Sequence, residues 1–212
     1  MPRTAPQDVW PVVAAERRAL ADDLTGLTPA QWATPSLCAG WDVHDVLAHL
    51  LGSARTTPLR FLAGMAAARF DFDAANEAEL RAARAADPEE TLAAFRAVAG
   101  RRTGPPAPRD TRLVEAFVHG EDVRRPLGIP RDPPRDAVAR ALLAHVRSGQ
   151  AVGGGRQRVE GVTLVATDTG LRHGTGPAAE GPVLSLLLVA AGRRAAMGDL
   201  AGPGAAVLAG RR

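Results

Sequence analysis

From Val9 to about Pro126, apolar side chains recur at three- and four-residue spacing, the period of amphipathic helices. The first predicted helix runs from Val9 to Leu24. Thr28-Pro29-Ala30-Gln31 then reads as a helix start, with Thr28 as N-cap, Pro29 in the first position and Gln31 reaching back. A loop from Pro35 to Trp41 precedes a second helix that begins at Val43, with Asp42 placed to cap it. Asp87-Pro88-Glu89-Glu90 repeats the start signature and opens a third helix through Val98. The Gly-Pro-rich stretch Gly104 to Pro108 forces a break, and a fourth helix is predicted from Leu113 to Asp122.

Beyond this the texture changes. Four prolines and one glycine between Pro126 and Pro134 mark a boundary, giving expected domains at 1–130 and 131–212. One more helix is predicted from Ala137 to Arg147, then a flexible linker at Gly153-Gly154-Gly155. The β-branched run Val162 to Thr167 predicts a strand, Asp168-Thr169-Gly170 a turn, and a second strand follows near Leu171. Val183 to Met197 reads as helix and Ala205 to Leu208 as a last strand. The expected architecture is a four-helix bundle followed by a small α/β domain, without internal repeats.

Composition narrows the class of protein. Twenty-six basic residues, all Arg, face 23 acidic ones for a formal charge of +3, and 46% hydrophobic with 23% charged residues is an ordinary globular balance. Arg is scattered among carboxylates, and 3 Trp with 5 Phe supply little stacking surface, so nucleic-acid binding is not expected. The start MPRTAPQDVW carries no apolar h-region. The longest apolar run, Val183 to Ala191, falls far short of the ~20 residues of a spanning helix. Cys38 is the single cysteine, too few for an internal disulfide or a thiolate cage. The expectation is a cytoplasmic protein without membrane or nucleic-acid partners.

The chemistry is expected among the histidines. Glu115 and His119 are four apart on a predicted helix, and Asp45 and His49 repeat that spacing on another, so each pair shares a helix face. Facing helices of a bundle can bring such side chains together as a metal site. Apolar neighbours surround Glu115 and His119, and burying charge there is costly unless it is paired or bound to metal. His49, Glu115 and His119 form the best set: two imidazoles and a carboxylate, which leaves a fourth position open as in catalytic zinc sites. Asp45 would orient an imidazole or replace a ligand. The plainer alternative has His49 and His119 packed as ordinary half-buried residues, with Glu115 paired to an Arg. His44 is expected to be exposed, His145 to lie outside the bundle and His173 in a turn-rich surface stretch. Cys38 reads as a small packed residue, and Asp122, Arg124 and Arg125 as a solvated helix end. The triple glycine lacks the Lys-Ser/Thr of a phosphate loop.

The stretch Trp32 to Leu50, which contains Pro35-Ser36-Leu37-Cys38-Ala39-Gly40-Trp41-Asp42 and His49, resembles the metal-binding amino-terminal domain of the mycothiol-dependent maleylpyruvate isomerase family, one of the DinB-like four-helix bundles. Glu115 to Gly128 resembles that family's second motif. Gly161 to Gly176 and Gly181 to Arg211, with Ala191-Gly192-Arg193-Arg194, are similar to its small carboxy-terminal domain. The resemblance implies a divalent metal, usually zinc with nickel or iron as alternatives, held by His49, Glu115 and His119. It also implies mycothiol as cosubstrate and a small-molecule electrophile as substrate. Arg193 would bind an anionic group, against the alternative of a surface Arg near a helix end. Isomerisation through conjugate addition and transfer of the thiol to an electrophilic carbon both follow from a metal-bound thiolate, and the broader transferase reading is preferred. The competing functions are a metal- or ligand-binding protein without turnover, a metal-free scaffold and a tailoring enzyme of secondary metabolism.

Overall fold

The structure, a computed structural model, describes residues 8–150 and 153–211. Most of the amino-terminal segment read for a signal lies outside the described residues. The chain divides into two compact units, Met1–Pro130 and Arg131–Arg212.

The first unit is helical. Helices α1 (Trp10–Asp23), α2 (Pro29–Trp32), α3 (Val43–Arg55), α4 (Pro58–Ala67), α5 (Phe72–Ala83), α6 (Pro88–Val98) and α7 (Thr111–Leu127) follow in order. Four of them close a ring: α1 packs on α6 and α7, and α3 packs on the same two. Helix α3 also carries α5, so it is covered on several sides, and every residue of it except Asp45 and Arg55 is buried. The start of α2 is the expected capping box of Thr28 and Gln31, and Asp42 with Asp45 forms another at α3. The bundle core joins Leu20, Leu24, Leu47, Leu51, Leu92 and Phe95. Helices α4 and α5 do not figure among the expected elements. No residue of α4 is buried, and Leu59 and Leu62 stand exposed, so its apolar positions mark no core face.

Helix α7 runs past the predicted end at Asp122 to Leu127, with Pro126 inside it and Gly128 in the left-handed conformation as its stop. Its far half is not a solvated end. Asp122 and Arg124 are 0% and 1% exposed, and the Arg124 Nε donates to Asp23 Oδ2 at 2.6 Å.

In the second unit, α8 (Arg135–Arg147) packs on α10 (Val183–Ala190), with the short α9 (Arg156–Val159) against both. Strands β1 (Thr163–Ala166), β2 (Arg172–Gly174) and β3 (Ala178–Gly181) form a sheet in the order β2-β1-β3, with β2 antiparallel and β3 parallel to β1. Three expectations change here. The helix predicted from Val183 to Met197 stops at Ala190, because Gly192 turns left-handed at φ +85°, and a 3-10 turn covers Arg194–Asp199. Ala205 to Leu208 is not a strand but part of α11 (Pro203–Ala209), which packs on β3. The triple glycine is no slack linker. A Cβ on Gly154 would lie 2.1 Å from the Ser148 carbonyl oxygen, and one on Gly155 2.4 Å from that of Ala190. Among the described residues, no helix is long and apolar enough to cross a membrane.

Candidate functional site

The site is built where the loop before α3 meets α7. Pro126 lacks an amide hydrogen, so the Asp122 carbonyl one turn earlier gets no helical partner from it. The Leu37 amide donates to that carbonyl instead, at 3.1 Å. The loop is also tied to itself: the Ser36 hydroxyl donates to the Trp41 carbonyl at 2.9 Å and accepts from the Cys38 amide at 3.1 Å. Gly40 supplies a positive φ of +82° at the turn.

The fastened loop delivers Cys38 to α7. Its Sγ donates to Asp122 Oδ2 at 3.0 Å, and His119 Nδ1 donates to the same oxygen at 2.9 Å. Sγ and Nδ1 are 3.7 Å apart. Burial works to lower the His119 pKa, and the hydrogen bonds to Asp122 and Cys38 outweigh it, raising the imidazole to about 9. This is not a nucleophilic triad. There, the base meets the nucleophile with one ring nitrogen and the carboxylate with the other; here Nδ1 faces both, and the second nitrogen is left for other work.

His49 approaches from α3, its ring centroid 4.8 Å from that of His119 and 5.2 Å from that of Trp41. It is buried, and its Nδ1 has no hydrogen-bond partner. Burial, then the neighbouring His119, lowers its pKa to about 4, so the ring is neutral with a lone pair to offer. Glu115 lies one turn before His119. Its Oε2 accepts from Ser53 Oγ at 2.5 Å and from Arg112 Nη1 at 2.9 Å, and Oε1 is 3.9 Å from Arg17 Nη2. Burial pushes this carboxyl up, and Arg112, His49, Ser53 and Arg17 together hold it below the ordinary range.

His49 and His119 are therefore brought together, while the Glu115 carboxylate is taken up by Ser53 and Arg112. The described residues include one group of three potential ligand atoms within 4.8 Å of one another, and it is Cys38, His119 and Asp122. Asp45 does not serve His49. Its Oδ2 accepts from the Asp42 amide at 3.1 Å in the cap, and Oδ1 from Arg84 Nε at 2.7 Å. His44 is buried rather than exposed, with Nε2 2.8 Å from Thr91 Oγ1. In the second unit, His145 is buried with Nε2 3.3 Å from the Ala190 carbonyl, His173 sits on β2, and Arg193 Nη1 donates to the Ala191 carbonyl at 2.8 Å. Sequence reasoning passed over Asp122, although its spacing of three from His119 puts both on one helix face. Nothing local linked either residue to Cys38, which arrives through the loop.

Residues 13–110 match the family described as mycothiol maleylpyruvate isomerase N-terminal domain. The matched stretch covers most of the first unit. Two solved structures resemble the whole chain. One, a mycothiol-dependent maleylpyruvate isomerase, is 18% identical with a TM-score of 0.63, covering 92% of this chain and 91% of that one. The other, a histidine-to-alanine mutant of mycothiol-dependent maleylpyruvate isomerase, is 16% identical with the same TM-score and coverage. The maleylpyruvate isomerase fold, mostly helices with a small sheet, is thus the fold of this chain. No curated protein matches the sequence.

Two of the three expected ligands, His49 and His119, suit the divalent metal that the family resemblance implies. Zinc takes neutral imidazole nitrogens and carboxylates. His49 offers a buried nitrogen without a partner, and His119 is held through one nitrogen by a carboxylate, which is how metal-binding histidines are commonly oriented.

Proposed function

We propose that the protein is a metal-dependent, thiol-using transferase or isomerase that joins mycothiol to a small electrophile. The observation that carries the reading is the meeting of His49 and His119 at 4.8 Å between α3 and α7 of a maleylpyruvate isomerase-type domain, with the His49 Nδ1 buried and unpaired. His49, Glu115 and His119 would hold the cation, His119 through the nitrogen that Asp122 leaves open. The donor set suits zinc, with nickel and iron as alternatives. When bound, a divalent cation supplies Lewis acidity that favours the thiolate of a coordinated thiol at neutral pH.

The chain's own residues prepare that chemistry. Asp122 keeps the proton of His119 on Nδ1. Arg112 and Ser53 fix the rotamer of Glu115 and keep it ionised. The Trp41 ring packs at a tilt against that of His49. The substrate class is a carbon electrophile, either an activated alkene that is isomerised or a centre bearing a leaving group that is replaced. A cytoplasmic setting, where thiols stay reduced, suits both the cosubstrate and the free Cys38.

Metal analysis of protein purified without added metal tests the reading, followed by assays of mycothiol consumption with maleylpyruvate and with alkylating electrophiles. About one divalent ion per chain, lost together with activity in His49→Ala while the helical circular dichroism persists, is the expected result. Metal content unchanged in His49→Ala would overturn the ligand set, and metal-loaded protein that turns over none of the electrophiles would leave a binding protein in its place.

A further inference from the structure

His119 has two ring nitrogens, and the ligand set proposed above uses only one of them. On the other side, three donor atoms of different chemistry converge: Cys38 Sγ, His119 Nδ1 and Asp122 Oδ2. Their separations are 2.9 Å (Nδ1 to Oδ2), 3.0 Å (Sγ to Oδ2) and 3.7 Å (Sγ to Nδ1). Ligands held about 2.0 to 2.3 Å from a tetrahedral zinc stand about 3.3 to 3.6 Å from one another. The three atoms already outline one face of such a tetrahedron, and small rotations of the Cys38 and Asp122 side chains would complete it.

We propose that Cys38, His119 and Asp122 form a thiolate-containing site for a thiophilic divalent cation such as zinc or cadmium, separate in its donor atoms from His49 and Glu115. Several features support it. Asp122 is 0% exposed, and its Oδ2 accepts from the Cys38 thiol and the His119 Nδ1–H, both of which a cation would replace. The loop that presents Cys38 is anchored to α7 by the Leu37 amide, so the sulfur is delivered by a fixed backbone. A soft sulfur beside an imidazole selects zinc, cadmium or cobalt over magnesium and calcium.

The protons balance. Binding displaces the Sγ–H, which leaves to solvent, and the Nδ1–H, which leaves to solvent from a doubly protonated ring or moves to Nε2 in a neutral one, and no oxidant or reductant takes part. With a cation on Nδ1, the imidazole keeps its other proton, so His119 serves either this site or the one with His49 and Glu115 at any moment. The chain therefore carries two competing positions for one ion, one with a sulfur ligand and one without.

Cobalt(II) titration of the full-length apoprotein in thiol-free buffer separates the two. The expected result is a sulfur-to-cobalt charge-transfer absorption in the near ultraviolet, present in the wild type and in Glu115→Gln and absent in Cys38→Ser. Visible cobalt bands without charge transfer in the wild type, lost in Glu115→Gln, would overturn this site while leaving the set with His49 and Glu115 standing. Absence of any cobalt binding would overturn it as well. A measurement on the wild type alone guards against misfolding of the variants: cadmium is expected to slow alkylation of Cys38 by iodoacetamide at least tenfold, and an unchanged rate would refute the site.

Discussion

Pro126 has no amide hydrogen to offer the Asp122 carbonyl, and Leu37 offers one in its place at 3.1 Å. A gap in the helix ladder of α7 thus becomes the anchor of the loop that carries Cys38. Restoring the missing donor should loosen that anchor. Pro126→Ala would give the Asp122 carbonyl a competing helical partner without weakening the helix, since Pro is the poorest residue in a helix interior. Alkylation of Cys38, the only thiol, should become several-fold faster, as followed by mass spectrometry.

Asp122 is the shared acceptor of the site. In Asp122→Asn the Cys38 thiol and the His119 Nδ1–H lose a charged acceptor in a buried setting, at a cost of about 2 kcal/mol. The His119 pKa should fall from about 9 to below its ordinary 6.5, because burial then acts with less opposition. Proton NMR titration of the imidazole in the metal-free protein reads this directly, and a pKa that stays near 9 would show that Asp122 is not its cause.

Glu115 answers to two guanidiniums. Glu115→Gln would leave Arg112 and the buried Arg17 without their carboxylate, and a loss of about 1 to 3 kcal/mol is expected in urea unfolding of the apoprotein. Buried pairs are screened little by salt, so the difference between variant and wild type should persist at high ionic strength.

His145 makes the second unit sensitive to acid. Burial lowers its pKa from 6.5 to about 4, with the hydrogen bond to Ala190 opposing the shift. Between those values the unfolded chain binds a proton that the folded chain refuses, so stability is complete above pH 6.5 and declines as pH falls toward 4. The full loss amounts to about 3 kcal/mol. His145→Gln, which cannot take up that proton, should flatten this part of the stability curve, and an equal slope in variant and wild type would exclude His145 as its source.

Gly154 and Gly198 form a matched pair for testing the tight packing after α8. A Cβ at Gly154 meets the Ser148 backbone, whereas one at Gly198 meets nothing within 4 Å. Gly154→Ala should cost more than about 2 kcal/mol, and Gly198→Ala should be close to neutral in thermal unfolding.

What could be read ahead of the structure was what lay close together in the chain. The caps at Thr28 and Asp42 and the β-branched run of β1 carried their signals within a few residues, and the structure has them. Strand β3, Ala178–Gly181, has no β-branched residue and owes its form to pairing with β1. The apolar run from Ala205 to Leu208 was too short to tell strand from helix by period, although Pro203 in the first turn favoured a helix. At the site, the helical pairing of Glu115 with His119 was visible, and so was the rival reading of Glu115 paired with an Arg, which Arg112 satisfies. The contact of Cys38 with Asp122 spans 84 residues and was invisible, since it depends on where a loop is tied down.

The almost complete burial of α3 also limits how this chain can diversify. Only Asp45 and Arg55 of that helix escape the interior, and Asp45 is spent on a cap and on Arg84, so nearly any change in α3 is felt as a change in packing. His49 rides on the least editable segment of the molecule. New chemical preferences would therefore be written into the Pro35 to Trp41 loop and the partly exposed positions in the first half of α7, outside the helix that holds His49.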